Sequence, residues 1–429
     1  MTCIRSRVVT RWLPLAATIL FLMPPLAAAA DRPDAAHLLP ENTVLYVRFP
    51  VTAETVAKFK ETAIGRITQD PAMKPFVSQL YGSAIEAFKR AEEQIGASLD
   101  DLLSIPQGEM CLAVVTPEQS RPAIVFLVDV GQRLPIVEKL LDRISQGIED
   151  EGAKISQEDL GDVKLTVFDF PSDETRQLVF AVRDNVVLVT SDLEVAKWML
   201  NVWSGKKTEG VRPLADKPDF AAVMRRCAGT EDQPPQVEFF IDPVTLFSRA
   251  SRGNAGAQTL VALFPALGLN GVQGAGGSMT FATEEFDAVT QFHLLLASPR
   301  QGVLELIAPR AGDTAPENWV PADAASYMTV NWDLGKTYTS FAALYDKIRG
   351  EGALVSSFER EVTNRLGIDF RKDVVEALAG RVTLVNAMVR PARLNSRANL
   401  LGVQLKDAKA FEKTLETVIA KAGPQMSQD

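Results

Sequence analysis

The sequence predicts an α+β fold made of tandem related modules, mainly antiparallel sheets with amphipathic helices packed on one face. Short apolar runs joined by turn residues alternate with amphipathic segments, a pattern that favours this class over a doubly wound parallel sheet. A set of such elements near the N-terminus also recurs in the same order near the C-terminus. We therefore expect a folding unit that has been copied within the chain.

The first thirty residues indicate a signal peptide. Three arginines precede the apolar run 15–23, and Ala28 and Ala30 have the small-residue spacing that signal peptidase recognises. The alternative is an uncleaved membrane anchor, but Pro24 interrupts the helix and the run is shorter than the roughly 20 residues that span a bilayer. We expect cleavage before Asp31 and an exported protein, periplasmic or extracellular, with no transmembrane segment.

Charge and composition limit the partners. Removal of the three arginines changes the formal net charge from −9 to −12, which argues against nucleic acid because such binding uses clustered Lys and Arg. Cys111 and Cys227 are the cysteines left after cleavage. They could form one disulfide in an oxidising compartment, although Cys111 lies in a strand-like run and fits equally a buried apolar position.

The repeat begins with a turn that leads into a strand. Pro40 and Tyr46 have the same separation as Pro321 and Tyr327, and an amphipathic helix is predicted after each strand. Further apolar stripes end at glycines, and each copy continues with a second strand, a third strand and a helix. The matched segments are 56–63 and 341–348, 77–95 and 355–366, 110–115 and 382–385, and 137–141 and 411–415.

A weaker third copy and an extension complete the organisation. We expect the signal peptide at 1–30, a first module at 31–230, a shorter β-α-β module at 236–310, and a last module at 317–429. The extension of the first module contains strands, a tight turn at Asp184-Asn185 and a helix capped by Asp192. The last module is expected to be either naturally shorter than the first or cut at Asp429.

Motifs for known chemistry point to no catalytic, cofactor-binding or metal-binding residue. His37 is expected in a loose N-terminus and His293 on a solvated strand face, and the sequence has neither a Gly-x-Ser-x-Gly elbow nor the close His and Cys pairs of zinc sites. Ser204 and Lys207 have the spacing of serine acyl enzymes but fit a helix end better. The glycine-rich run 271–277 precedes a strand, which favours a turn over a phosphate loop.

Acidic and aromatic residues leave two interpretations open. Asp100-Asp101 suits a helix start and Glu284-Glu285 suits a hairpin turn, although two acids brought together by the fold could serve a glycosidase. Tryptophans could line a groove, but core packing is favoured. The four in the expected mature chain are Trp198, Trp203, Trp319 and Trp332.

A resemblance adds to these patterns. The segments 39–47, 59–66 and 70–71, followed later by 180–191, resemble an uncharacterised family of exported bacterial proteins of planctomycete type, known only as a domain of unknown function. The resemblance implies export and a modular α+β fold, and it carries no established active residues. The end at Asp429 departs from the longer last unit that the family leads us to expect.

Two functional hypotheses follow from the sequence. The first is a non-enzymatic envelope protein that binds an unknown protein or envelope ligand through its modules, with no cofactor. The second is a hydrolase that uses paired carboxylates on glycans or wall polymers.

Overall fold

The computed structural model describes residues 32–73, 75, 105–118, 121–150, 153–170, 176–206, 210–230, 232–389 and 396–426. Within these ranges the chain has an α+β fold, in which antiparallel sheets are combined with helices. The expected signal peptide, the stripe 77–95 and the Asp100-Asp101 pair lie outside the described residues. In the part that is described, no helix is both long enough and apolar enough to span a bilayer.

Helices and strands follow one another irregularly along the chain. The described helices are α1 (Ala35–Leu38), α2 (Thr52–Glu61), α3 (Ala63–Gln69), α4 (Leu134–Asp150), α5 (Leu193–Trp203), α6 (Pro218–Arg226), α7 (Pro243–Ala250), α8 (Ala255–Leu267), α9 (Leu334–Arg349), α10 (Arg360–Leu366) and α11 (Ala408–Met426). The described strands are β1 (Thr43–Phe49), β2 (Met110–Val115), β3 (Ala123–Asp129), β4 (Lys154–Leu160), β5 (Val163–Phe170), β6 (Arg176–Arg183), β7 (Val186–Thr190), β8 (Val237–Ile241), β9 (Val272–Phe281), β10 (Ala288–Leu296), β11 (Ser326–Asn331), β12 (Leu378–Met388) and β13 (Arg397–Leu405).

The chain divides into two compact units. The first comprises Met1–Ala250 and Gly274–Leu295, and the second comprises Ser251–Gln273 and Leu296–Asp429. This division does not follow the expected module boundaries, because β8, β9 and β10 share a sheet with β1 whereas α8 belongs to the second unit. The origin of the units by duplication stays a prediction.

The first unit contains a ten-stranded sheet in the order β10-β9-β8-β1-β2-β3-β7-β6-β5-β4. Its central strands pair antiparallel, β1 with β2 and β8, and β3 with β2 and β7. The turn between β6 and β7 is formed by Asp184 and Asn185, which both adopt positive φ angles, as the dipeptide predicted. Asp192 caps α5 by accepting a hydrogen bond from the Val195 N–H at 3.0 Å, which confirms the predicted helix start.

One face of this sheet carries the main hydrophobic core. Tyr46, Ala113 and Val125 lie opposite one another on β1, β2 and β3, and all three are buried. Helices α1, α5 and α6 supply further apolar side chains to the same core. Burial of a large apolar side chain contributes about 1.5–3 kcal/mol, so this layer is the main source of stability in the unit.

The glycine-rich run is part of strand β9, so its interpretation as a turn before a strand was wrong. A Cβ atom on Gly277 would lie 2.1 Å from the Gln291 carbonyl oxygen and 2.7 Å from the Phe239 ring. Gly276 is equally constrained, because its Cβ would lie 2.4 Å from the Phe239 carbonyl oxygen. Glycine is therefore required by close approach of the neighbouring strands.

The second unit contains a three-stranded sheet in the order β11-β12-β13. Thr329 and Thr383 face each other on β11 and β12 and their hydroxyl oxygens are 2.9 Å apart. Helix α10 ends at Gly367, which adopts the left-handed conformation predicted for a helix end. In the described part of this unit the buried apolar side chains are few: Leu304, Ala308, Leu354, Ile368 and Val385.

The two units share an order of elements. In the first unit β1 is followed by α2, and later by β2, β3 and α4; in the second, β11 is followed by α9, and later by β12, β13 and α11. In both sheets these three strands are neighbours in chain order. Tyr46 and Tyr327, which the sequence aligned, lie on the first strand of each set.

Candidate functional site

The face of the ten-stranded sheet opposite the core presents apolar side chains to solvent. Val47, Leu112 and Phe126 lie in register on β1, β2 and β3, and they form one row across the sheet. A parallel row is formed by Leu45, Val114 and Ile124. We call these six residues the first open face.

The exposure on this face is substantial. Leu112 is 41% exposed, Ile124 is 56% exposed and Phe126 is 37% exposed. Helix α4 covers the sheet further along, where Val137 packs against Val128 and Val187. Exposed apolar patches of this kind mark interaction sites in soluble proteins.

The three-stranded sheet carries a corresponding surface. Met328, Leu384 and Leu401 form one row across β11, β12 and β13, and a second row runs parallel to it. The six residues of this second open face are Met328, Val330, Val382, Leu384, Leu401 and Val403. Met328 is 54% exposed and Leu401 is 66% exposed, so this surface is even less covered than the first.

A cluster of charged residues lies on the core face of the ten-stranded sheet. Arg48 donates from Nε to Glu109 Oε1 at 2.5 Å and from Nη1 to Glu238 Oε2 at 2.9 Å. Glu109 is only 5% exposed. A buried carboxylate is tolerated at such a position because guanidinium groups and hydrogen-bond donors compensate its charge.

The same cluster holds the segment around α1 against the sheet. Arg32 Nη2 lies 3.0 Å from Glu109 Oε2, and the Ala35 N–H donates to Glu109 Oε1 at 3.1 Å. Arg32 also stacks over the Trp203 ring, with its guanidinium carbon 5.8 Å from the ring centroid. His37 therefore belongs to an anchored helix, and the expectation of a loose N-terminus there was wrong.

The electrostatics of the cluster favour fixed charges. Burial by itself would lower the pKa of Arg48, but Tyr46, Glu109 and Glu238 raise that pKa above its usual value. Burial by itself would raise the pKa of Asp34, but hydrogen bonds from His37 and the charge of Arg48 lower that pKa overall. Both side chains stay charged at neutral pH, so the cluster acts as a clamp on the fold rather than as a proton donor or acceptor.

The candidates for chemistry that lie in the described residues have structural roles or surface positions. Ser204 ends α5 and donates to the Leu200 carbonyl, as a helix-end residue does, and Lys207 lies outside the described residues. Glu284 and Glu285 lie in the turn between β9 and β10, as predicted. His293 is half-buried on β10 rather than solvated, and burial together with the charge of Arg226 lowers its pKa.

The two cysteines are buried and unpaired. Burial raises the pKa of the Cys111 thiol well above its usual value, and it also raises the pKa of Cys227. Both therefore fit the interpretation as small apolar residues. In the ranges that the structure describes, no group of three or more His, Cys, Asp or Glu is arranged to hold a metal ion.

Trp198, Trp203 and Trp332 contribute to packing, whereas Trp319 is 45% exposed and lies against Gly402. Trp203 is buried between the guanidinium groups of Arg32 and Arg183, and Trp198 packs against the main core. Trp332 donates from Nε1 to the Thr337 hydroxyl at 2.8 Å.

Sequence patterns did not reveal the open faces or the charged cluster. Strands β2 and β3 are almost continuously apolar, which is typical of strands buried on both faces. The only local signal for the cluster was the presence of Arg48 and Glu109 next to apolar strand residues. Comparison with known proteins adds no further guide, since no family model, curated protein or solved structure matches this chain.

Proposed function

We propose that this chain is an exported, non-enzymatic interaction protein that binds another protein through the first open face. The observation that supports the proposal is the pair of apolar rows on β1, β2 and β3, with Leu112, Ile124 and Phe126 exposed. A regular row of aliphatic and aromatic side chains without charges suits an apolar helix or sheet face of a protein. Nucleic acids are recognised mainly through Lys and Arg contacts to phosphates instead.

The acids that cluster in the described part of the chain lie on the core face of the sheet, opposite the first open face, and are paired with arginines. Glu109 and Glu238 accept hydrogen bonds from Arg48, and the neighbouring Asp34 and Asp129 lie within 3.8 Å of Arg48 and 3.6 Å of Arg32 respectively. The hydrolase alternative requires a protonated acid next to a second carboxylate in a cleft. No observation on the described residues favours that alternative over binding.

Site-specific photocross-linking tests the proposal. A photoreactive amino acid at Ile124 should yield a discrete cross-linked species with another envelope protein in the cells that produce this chain. The matched control is the same amino acid at Glu194, an exposed position on α5. No cross-linked species from position 124, or the same species from position 194, would contradict binding through the first open face.

Export is tested separately. Cell fractionation should find the protein outside the cytoplasm, and the N-terminal sequence of the purified protein should begin at Asp31. A cytoplasmic protein, or an exported one that retains residues 1–30, would contradict this part of the proposal.

A further inference from the structure

Within the described ranges, no strand pairs with the outer edge of β13. β13 pairs with β12 along its length and is the last strand of the order β11-β12-β13. The opposite edge is partly occupied, because the Arg310 N–H donates to the Asn331 carbonyl at 3.0 Å and the Tyr327 hydroxyl donates to the Thr314 carbonyl at 2.8 Å. The free N–H and C=O groups on the outer side of β13 form a template for one more strand.

The sequence of β13 lacks the usual protection of a free edge. From Ala398 to Gln404 it contains no charged residue and no proline. Strand β4, at one end of the ten-stranded sheet, instead carries Lys154, Glu158 and Asp159. Charged side chains and proline on edge strands prevent pairing with other chains, so their lack on β13 points to an edge that pairs.

We propose that β13 pairs antiparallel with β13 of a second copy of this chain, in a register centred on Gly402. In this register Leu401 faces Val403 of the second copy, and the reverse pair occurs across the two-fold axis. The row Met328, Leu384 and Leu401 then continues into Val403, Val382 and Val330 of the second copy. Both apolar rows thus extend across a continuous six-stranded sheet, with cross-strand apolar contacts at the junction.

Charge complementarity supports this register. Centring on Gly402 brings Arg397, at the start of β13, towards Asp407 of the second copy, which follows β13 and caps α11 by accepting from the Lys409 and Ala410 N–H groups through Oδ1. The two-fold axis generates this opposite-charge pair twice. A register shifted to centre on Leu401 would instead place Val403 opposite Asn399 and remove the charge pairs.

The self-complementary pattern identifies a second copy as the occupant. An isologous interface requires that each residue and its partner exchange places across the axis. Any antiparallel pairing of β13 with its own copy meets this requirement, and the register centred on Gly402 is the one that pairs Leu401 with Val403 and Arg397 with Asp407. Pairing through β13 would cover its open edge and bring Leu401 and Val403, which are 66% and 39% exposed in the single chain, into contact across the junction. This self-association goes beyond the proposed function and does not depend on the first open face.

Sedimentation velocity over a range of concentrations tests the proposal on the chain expected after cleavage. We expect a monomer–dimer equilibrium that Leu401→Lys abolishes at concentrations where the parent protein is a dimer. Leu401 is 66% exposed, so the variant should fold, which circular dichroism checks. A parent protein that stays monomeric at every concentration overturns the proposal.

Two control variants separate edge pairing from other kinds of association. Met328→Lys changes the same apolar row at its far end on β11, and it should leave the dimer largely intact. Phe292→Lys changes β10, the other end strand of the ten-stranded sheet, which also carries no charged residue. If either variant weakens the dimer as much as Leu401→Lys, pairing through β13 is overturned.

A charge-reversal experiment tests the register. Arg397→Glu should weaken the dimer about tenfold, because two like-charge pairs replace two opposite-charge pairs. Asp407→Lys should weaken it similarly, and circular dichroism checks that this variant keeps its fold, because Asp407 also caps α11. A mixture of the two variants should form a heterodimer in which each Glu faces a Lys and each Arg faces an Asp. If the mixture associates no better than either variant alone, the register centred on Gly402 is overturned.

The dimer and the proposed function fail in different ways. Loss of the dimer in Leu401→Lys with unchanged cross-linking from Ile124 leaves the proposed function in place. Loss of cross-linking from Ile124 with an intact dimer leaves the self-association in place.

Discussion

The ten-stranded and the three-stranded sheets differ in how much of their apolar surface the chain itself covers. In the first, Tyr46 and Leu127 are buried under helices, and β1 and β3 have hydrogen-bonded neighbours on both sides. In the second, Leu401 and Met328 are more than half exposed and β13 is an open edge. The same succession of strands and helices can therefore form a self-sufficient core or an incomplete one, depending on which further strands adjoin it.

The charged cluster should give the largest effect on the first unit. Glu109→Gln removes the charge that compensates Arg48 and Arg32, and we expect a loss of about 3–5 kcal/mol in unfolding free energy. Equilibrium urea unfolding measures this loss of unfolding free energy. The control is Glu361→Gln, since Glu361 pairs with Arg365 on the surface and such pairs contribute about 0.3–0.5 kcal/mol. Equal losses in the two variants would show that the cluster is not a clamp.

Truncation of one leucine in each sheet sharpens the contrast in burial. Leu127→Ala should cost about 2–5 kcal/mol, because Leu127 is fully buried and its loss leaves a cavity. Leu384→Ala should cost less than about 1 kcal/mol in the monomer, because Leu384 is 39% exposed. Urea unfolding at low protein concentration compares them. A larger loss for Leu384→Ala would mean that the second open face is covered in solution.

A glycine in each sheet extends the comparison to backbone packing. Gly277→Ala forces a Cβ against the Gln291 carbonyl oxygen, which is held in the sheet, and we expect a loss of about 1–3 kcal/mol. Gly402→Ala places its Cβ against the Trp319 ring instead. That side chain is partly exposed and can move, so the loss should be smaller. Thermal unfolding of both variants measures the two losses in stability. A larger loss for Gly402→Ala than for Gly277→Ala would contradict the argument that the Trp319 ring can move and the Gln291 carbonyl cannot.

The smallest expected effect is the pH dependence due to Asp34. Its folded-state pKa lies below the ordinary value, so its ionised form stabilises the fold above that ordinary pKa. This contribution is lost as the pH falls through the folded-state pKa. Asp34→Asn should therefore lower stability at pH 7 and make the acid-induced loss shallower than in the parent protein. Urea unfolding at pH 7 and at pH 3 measures this, and parallel pH profiles would contradict it.

Local features of the fold could be predicted from the sequence because neighbouring residues determine them. The turn at Asp184-Asn185, the cap at Asp192 and the helix end at Gly367 depend on the backbone preferences of a few adjacent residues. The α+β class followed in the same way from the spacing of apolar residues. These predictions needed no knowledge of which strands pair.

The charged cluster and the open faces could not be predicted, because they depend on strand pairing across the chain. Arg48 and Glu238 are 190 residues apart in sequence and become neighbours only because β1 pairs with β8. Strands β2 and β3 are almost continuously apolar, which is typical of strands buried on both faces, yet Leu112 and Phe126 are exposed. The glycine-rich run was assigned to a turn. The contact with Phe239 that requires glycine in β9 is likewise a tertiary effect, so the sequence alone could not show it.

Hydrogen exchange of the backbone amides of β3 and β13 tests the contrast between the sheets most directly. β3 has a strand on each side, so its amides should be protected to the same extent at all protein concentrations. The outward-facing amides of β13 should exchange fast in the monomer and become protected as the concentration rises. Protection of those amides at the lowest concentration, or fast exchange at every concentration, would contradict an open edge that a second copy completes.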